Sequence, residues 1–484
     1  MPDAPFRTGD HITLQLDSLA VGGEAVGRHE GLAVFAMWGC PGDTAEVEIT
    51  EVARSFARGV VRSVASPSPD RAQPPCPHFG DCGGCQIQHI SYPAQLRHKT
   101  AMVRDAIARI GGMPDIEVAD AWAMGKEPWF YRNRADYHAA LDASGQLILG
   151  FARHHSHEIV SLRECNLQHP FSESVRKAVL AHMSRVAQTP AERAGLLGVE
   201  TLVSFASGKG LVTLICDGRP LFVGSLAEAL RADLPDLAGV LAARRRGHAA
   251  HRSPAELVWG EYYIAEQLAG QEYRVSADSF FQSNPAQAGR IVELVGEWAG
   301  VAKTDSILDL YSGVGTFLLP FARGARRAIG VEESESAVDD AKANARAWRL
   351  RNVTHYERRV ERFLPRFVER TSPPSPSPSL ERGRPGSASG EVPAVVVLDP
   401  PRKGCGPIVT ALVAKLRPRR IILISCHPAT LARDLKSLAE HGYPCRRVQP
   451  VDMFPQTWHV EAVAVCGSPH ETDHSMAPRA IRWR

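Results

Sequence analysis

Ile307-Leu308-Asp309-Leu310-Tyr311-Ser312-Gly313-Val314-Gly315-Thr316 decides the fold. An apolar run holding one carboxylate reads as a buried strand, and the glycines after it let backbone approach a ligand at a helix N-terminus. Gly-x-Gly alone also fits an ordinary tight turn. Two positions sharpen the reading. A third glycine of the dinucleotide fingerprint would fall at 318, which is Leu318, so an NAD site fails. The next apolar run ends in Gly330-Val331-Glu332, placing an acid where it can accept hydrogen bonds from ribose hydroxyls. Together these fit an adenosine-containing ligand, against the blander alternative of a surface glutamate opening a helix at Glu332-Glu333-Ser334.

Working outward, apolar runs at 306–311, 327–331, 394–398 and 420–424 are separated by helix-length segments. That rhythm is α/β: a parallel, doubly wound, Rossmann-like sheet. The third run ends in Asp399-Pro400-Pro401-Arg402, which puts Asp399 in the ligand crevice at the carboxyl edge. Enzymes that methylate exocyclic amines carry an aromatic residue after the two prolines; Arg402 argues instead for contact with an RNA backbone or carbonyl. The fourth run delivers Ser425-Cys426-His427-Pro428 to the same edge. A thiolate near a helix N-terminus has a lowered pKa and is a soft nucleophile, although a cysteine after a core strand is more often inert packing. Carbon 5 of uracil is too weak to attack a sulfonium methyl group. A thiolate added at carbon 6 creates an enolate that can, and a base must then take the carbon-5 proton. Glu461, on the strand-like stretch 459–465, is the candidate base, with His427 and His459 as alternatives.

Residues 8–64 alternate short strand patterns with glycine turns and predict a small closed β-barrel. Residues 66–69 read as a linker, 93–110 as an amphipathic helix and 120–265 as an α+β region. Cys76, Cys82 and Cys85 form C-x5-C-x2-C, with Cys165 the nearest candidate for a fourth ligand. That set suits an iron–sulfur cluster or an all-cysteine zinc site, while radical enzymes need C-x3-C-x2-C. Cys40, Cys216, Cys405, Cys445 and Cys466 read as packing or surface residues. The Ser/Pro/Gly-rich stretch 372–393 predicts a disordered surface insertion, and the tail after 467 is expected to be poorly ordered.

A chain of 484 residues is too long for one core. Boundaries near 66 and 268 give a barrel (1–66), a cysteine-bearing α+β region (67–268) and a catalytic region (269–484). The net charge of +3 is mild, so a nucleic-acid surface must be a local patch. Residues 1–10 lack the apolar core of a signal peptide, and no apolar run approaches the ~20 residues that span a bilayer. Ten cysteines in such a chain point to thiols, metal ligands or catalysis in a cytoplasmic setting.

These motifs together resemble the bacterial 23S ribosomal RNA (uracil-5-)-methyltransferases that carry a [4Fe–4S] cluster. Gly22-Gly23-Glu24-Ala25-Val26-Gly27-Arg28 and Cys40-Pro41-Gly42-Asp43 are similar to a TRAM domain, an RNA-binding OB-fold barrel. The run from Cys76 to Gln86 resembles the family's cluster motif, and Cys165 its fourth ligand. Phe280-Phe281-Gln282-Ser283-Asn284, the ten residues from Ser425 to Asp434, and His459-Val460-Glu461 complete the likeness. The resemblance implies S-adenosyl-L-methionine as methyl donor, contacted by Gln282, Tyr311, Glu332 and Asp399. It further implies Cys426 as nucleophile, Glu461 as base, 23S rRNA as partner, no membrane and no obligate protein partner. His427 departs from the usual Asn or Asp after the nucleophile, and Arg358-Arg359 stand where relatives often have Asn or Asp near the adenine. The rival readings are the same reaction on tRNA, whose enzymes are expected to lack barrel and cluster, and an RNA-binding iron–sulfur protein without turnover. Cytosine methylation is disfavoured because the late Pro444-Cys445 pair follows the wrong strand.

Overall fold

The computed structural model describes residues 6–125, 127–245, 252–371 and 392–468. The stretch 372–391 of the expected insertion, and the tail from 469, lie outside the described residues.

The expected barrel is present. Strands His11–Leu19, Ala25–His29, Leu32–Met37, Thr44–Val52 and Phe56–Ser66 close on themselves, the fifth lying between the third and the fourth. Period-two alternation builds its core: Ala45, Val47 and Ile49 are fully buried while the residues between them are not. The stretch read as a linker is instead an anchored contact. Asp43, fully buried, accepts hydrogen bonds from Cys40 N (2.7 Å), Ser68 N (2.9 Å) and the Arg71 guanidinium (2.6 Å). Trp38 packs edge-on against Phe79 and His154 at 5.0 and 4.9 Å between ring centroids, which seats the barrel on the cysteine segment.

Helix Tyr92–Arg109 follows, opened by the proline at its first turn. A seven-stranded sheet runs from Arg134–Leu141 to Glu256–Gly260. Helices Pro170–Val186 and Phe222–Asp233 join its core through Val175, Val179, Leu226 and Leu230.

The C-terminal sheet has eight strands. Val353–Glu357, Arg327–Glu332, Ser306–Leu310, Val395–Leu398 and Arg420–Ser425 are parallel neighbours in that order. Glu461–Gly467 then pairs antiparallel with both Arg420–Ser425 and Cys445–Val451. Glu117–Val118, from the cysteine-bearing region, closes the far edge. Val353–Glu357 was not anticipated: it is a half-buried edge strand, Val-Thr-His-Tyr-Glu, without an apolar run. Val395–Leu398 is therefore the fourth strand of this sheet from residue 300 onward, not the third. Alternate residues feed two cores. Ile307, Val397 and Ile422 meet Ile291 and Val295 of helix Pro285–Ala299, whereas Leu308, Val396 and Leu423 meet Val413 and Leu435 on the other face. Each such aliphatic side chain, fully buried, contributes about 1.5–3 kcal/mol. This is the doubly wound arrangement expected, and it fixes the carboxyl ends of the strands where the glycine loop, Asp399 and Cys426 emerge. Among the described residues no helix is long and apolar enough to cross a membrane.

Candidate active site

The strand Ser306–Leu310 turns at Tyr311, whose φ of +67° is rare for a tyrosine. The turn is held because Tyr311 N and Ser312 N both donate to Val331 O, at 2.9 and 3.0 Å. At Gly315 (φ +87°) a Cβ would lie 2.7 Å from Leu319 Cγ, so glycine is required there on both counts. Gly313 N donates to Glu332 Oε2 (3.0 Å), and Glu332 Oε1 accepts from Glu333 N and Ser334 N (2.8 and 2.9 Å). Glu332 thus ties the glycine loop to the start of helix Glu335–Ala347, a job beyond the ribose contact its position suggests.

A cavity of about 1000 Å³ opens at these strand ends, and Gln282, Tyr311, Glu332, Asp399, Cys426 and Glu461 all line it. Gln282 Nε2 donates to Asp399 Oδ2 at 3.2 Å. Beneath the loop Asp309 is fully buried and, among the described residues, no side chain hydrogen-bonds to either carboxyl oxygen. Burial, then the charges of Asp399 and Glu332, push its pKa well above the carboxylate range. Asp399 is raised as well, by burial and then by Glu332. Glu332 and Asp399, which line the cavity with Asp309 buried close by, fit a positively charged ligand such as the sulfonium and ammonium of S-adenosylmethionine.

Across the cavity Cys426 departs from expectation. Burial, then Glu461, raises its pKa to about 11, with Arg402 opposing. The helix Pro428–Glu440 does begin just after it, but the desolvation of a half-buried thiol outweighs that helix end. Glu461 is pushed well above the ordinary range by burial and then Asp399, again with Arg402 opposing. Arg402 Nη2 lies 3.4 Å from His459 Nε2, so the guanidinium donates and the ring accepts. Burial, then Arg402, drives His459 down to about 3, which leaves it neutral with its acceptor nitrogen occupied.

A second cavity of about 470 Å³ is lined by Cys76, Cys82, Cys85 and Cys165. Gly84 N donates to Cys82 Sγ (3.4 Å), and a Cβ on Gly83 would lie 2.8 Å from Ala152 O, so the turn wraps tightly only with glycine. Burial raises the Cys165 thiol to about 12 and Cys85 further still. Among the described residues no three His, Cys, Asp or Glu side chains are grouped closely enough to hold a metal ion. Arg132 and His459 line both cavities. Arg132, which sequence reasoning missed, has a buried Nε without a hydrogen-bond partner among the described residues, and a guanidinium over the Phe454 ring at 5.6 Å. Only its place in Tyr131-Arg132-Asn133-Arg134, where two arginines alternate with uncharged residues, hinted at it. The remaining five cysteines, Cys40, Cys216, Cys405, Cys445 and Cys466, are all buried in packing positions.

The tRNA (uracil-5-)-methyltransferase family matches residues 91–466. "Uncharacterized RNA methyltransferase BH0687" of Halalkalibacterium halodurans is 34% identical over 469 residues, 96% of this chain and 98% of that protein. "Uncharacterized RNA methyltransferase TTE1812" of Caldanaerobacter subterraneus subsp. tengcongensis is 33% identical over 467 residues, 95% of this chain and 98% of that one. Pyrococcus abyssi tRNA (uracil-54, C5)-methyltransferase, solved in complex with S-adenosyl-L-homocysteine, shares the fold with a TM-score of 0.67 at 22% identity, covering 94% of this chain and 100% of its own. A match of that length takes in part of the barrel as well as the regions that follow it. The chain belongs to the tRNA (uracil-5-)-methyltransferase family and is an S-adenosylmethionine-dependent RNA methyltransferase.

Proposed function

We propose that the enzyme methylates carbon 5 of one uridine in 23S rRNA through a covalent bond between Cys426 and carbon 6, with Glu461 as the base. The observation that supports this most is the meeting of Cys426 and Glu461 in one cavity with Gln282, Tyr311, Glu332 and Asp399. The donor supplies an electrophilic methyl group, and those last four residues would hold it, their acids matching its positive charge. Cys426 Sγ, as the thiolate, adds to carbon 6 and the electrons of the carbon-5–carbon-6 double bond move toward the carbon-4 carbonyl. Carbon 5 then bonds the methyl group as the donor's sulfur–methyl bond breaks. Glu461 accepts the carbon-5 proton, the carbon–sulfur bond breaks and Cys426 is restored. Arg402, beside both groups, favours their charged forms.

The rRNA assignment rests on the resemblance of the barrel and cysteine motif, and it places the enzyme in the cytoplasm. Nucleoside mass spectrometry of rRNA and tRNA from cells lacking the protein tests it. Loss of 5-methyluridine from 23S rRNA alone is expected. Loss from tRNA with rRNA intact would reassign the substrate, a reading favoured by the family's description.

Cys76, Cys82, Cys85 and Cys165 are proposed ligands of a [4Fe–4S] cluster. What supports this reading is the resemblance of the cysteine motif and the lining of one cavity by all four residues. Protein purified without oxygen should be brown and hold about four irons. Colourless protein with one zinc would overturn this.

The barrel is proposed to add RNA affinity through phosphate contacts. A chain lacking residues 1–66 should bind RNA about tenfold or more weakly with a shallower salt dependence, because fewer counterions are released. An unchanged affinity and slope, in a truncated protein that still binds S-adenosylhomocysteine, would assign the barrel another role.

A further inference from the structure

His459 and Glu461 are reached through the segment 452–458, which is fastened by side chains and backbone of the cysteine-bearing region. Lys99 and Asp452, both fully buried, pair at 2.6 Å, and Lys99 Nζ also donates to Phe454 O at 3.0 Å. Tyr131 OH donates to Pro455 O at 3.0 Å. The tightest fastening is at Gln456. Gln86 N and Ile87 N, directly after Cys85, both donate to Gln456 O at 3.2 Å. Gln95 Nε2 donates to Gln456 Oε1 at 2.9 Å, and Gln456 N donates back to Gln95 Oε1 at 3.0 Å. The same Gln95 amide reaches Ile87 O and Ile90 O, at 3.0 and 2.9 Å.

Gln456 has φ +70° and is buried. A glutamine in that left-handed conformation costs about 1–3 kcal/mol and persists only where its surroundings over-determine it. Here the surroundings are Gln95 and the turn that follows Cys85. Gln95 itself lines neither cavity.

We propose that Gln95 is a positioning residue: it locks Gln456 in its left-handed conformation, so that the cysteine-bearing turn sets where His459 and Glu461 stand. The proposal rests on the reading of Glu461 as the base. A purely structural role, in which a buried glutamine joins two regions, would affect folding and every ligand alike. A positioning role affects the chemical step. Misplacing a catalytic group by about 1 Å can cost around 100-fold in rate.

The test is the full-length Gln95→Met variant, which keeps the side chain's length and loses its hydrogen bonds, beside Gln95→Asn, which keeps an amide donor and acceptor on a shorter stem. For Gln95→Met, kcat should fall about 10–100-fold while KM for RNA and Kd for S-adenosylhomocysteine stay within about twofold. Amide exchange across 452–461 should quicken by about tenfold or more. Gln95→Asn should lose less on both counts, and gives the same comparison should the methionine variant fail to fold. Unchanged kcat and exchange would overturn the proposal, as would a loss of kcat matched by an equal loss of S-adenosylhomocysteine affinity. Normal turnover by Glu461→Gln would strike the base reading instead, and leaves the exchange result to be judged on its own.

Discussion

Replacing Cys426 by alanine stops methyl transfer and removes the covalent adduct with RNA carrying 5-fluorouridine at the target. The wild-type enzyme should be trapped on that RNA, because fluorine at carbon 5 cannot leave as a proton does. Loss of a nucleophile acting within a catalytic unit costs about 10⁴- to 10⁶-fold. The thiol's environment adds a second expected result. Burial and Glu461 raise Cys426 to about 11, so the thiolate is the minor form at neutral pH. Its population grows about tenfold per pH unit below that value. Where attack limits the rate, kcat/KM therefore rises with pH between about 7 and 9. Arg402→Ala removes the opposing cation and should depress kcat/KM throughout this range. An alanine variant at 426 that still methylates would end the covalent mechanism. A rate that fell as pH rose would show that a cationic acid, and not the thiolate, limits attack.

The sign of that pKa shift shows where sequence reading stops. The strand that delivers Cys426 is visible as Ile421-Ile422-Leu423-Ile424, and the helix after it as Pro428 and its periodic apolar residues. A helix end beside a cysteine predicts a lowered pKa, but burial raises it, and the charges of Glu461 and Asp399 that add to the rise, with Arg402 opposing, are reported by no local pattern. The same limit explains the other departures. Residues 66–69 have linker composition, yet Asp43 reaches Ser68 across 25 positions and turns them into a contact. The pair Lys99–Asp452 joins side chains 353 positions apart, beyond any periodicity. Val353–Glu357 went unread because an edge strand need not be apolar. What was legible is what strong local rules write: glycines required by a turn, buried strands, and acids at strand ends. Gln282 is a different case. Its meeting with Asp399 came from resemblance, since nothing in Phe280-Phe281-Gln282 by itself points to a ligand.

Glu461→Gln should separate attack from release. Glu461 stands at the start of Glu461–Gly467, next to the strand that carries Cys426, and in register Ala462 faces Ser425. That antiparallel pairing puts the two side chains at one sheet edge, in the cavity where the uracil must sit. Burial and Asp399 raise the Glu461 pKa well above the ordinary range, which makes its ionised form a stronger base than a surface carboxylate. Two histidines compete for the role. His459 accepts from Arg402 and is held down to about 3, a poor proton acceptor. His427 is lowered by burial and then by Arg402, and its Nδ1 is buried without a partner among the described residues. With glutamine at 461, attack and methyl transfer remain possible, but the carbon-5 proton has no acceptor. The variant should accumulate a protein–RNA adduct on ordinary uridine, carrying one added methyl group, with turnover slowed about 10²- to 10⁴-fold. His427→Ala and His459→Ala should release product normally. Mass spectrometry of the trapped species decides the matter. If Glu461→Gln turned over freely while His427→Ala held the methylated adduct, the base would be His427, and the unusual residue after the nucleophile would have found its purpose.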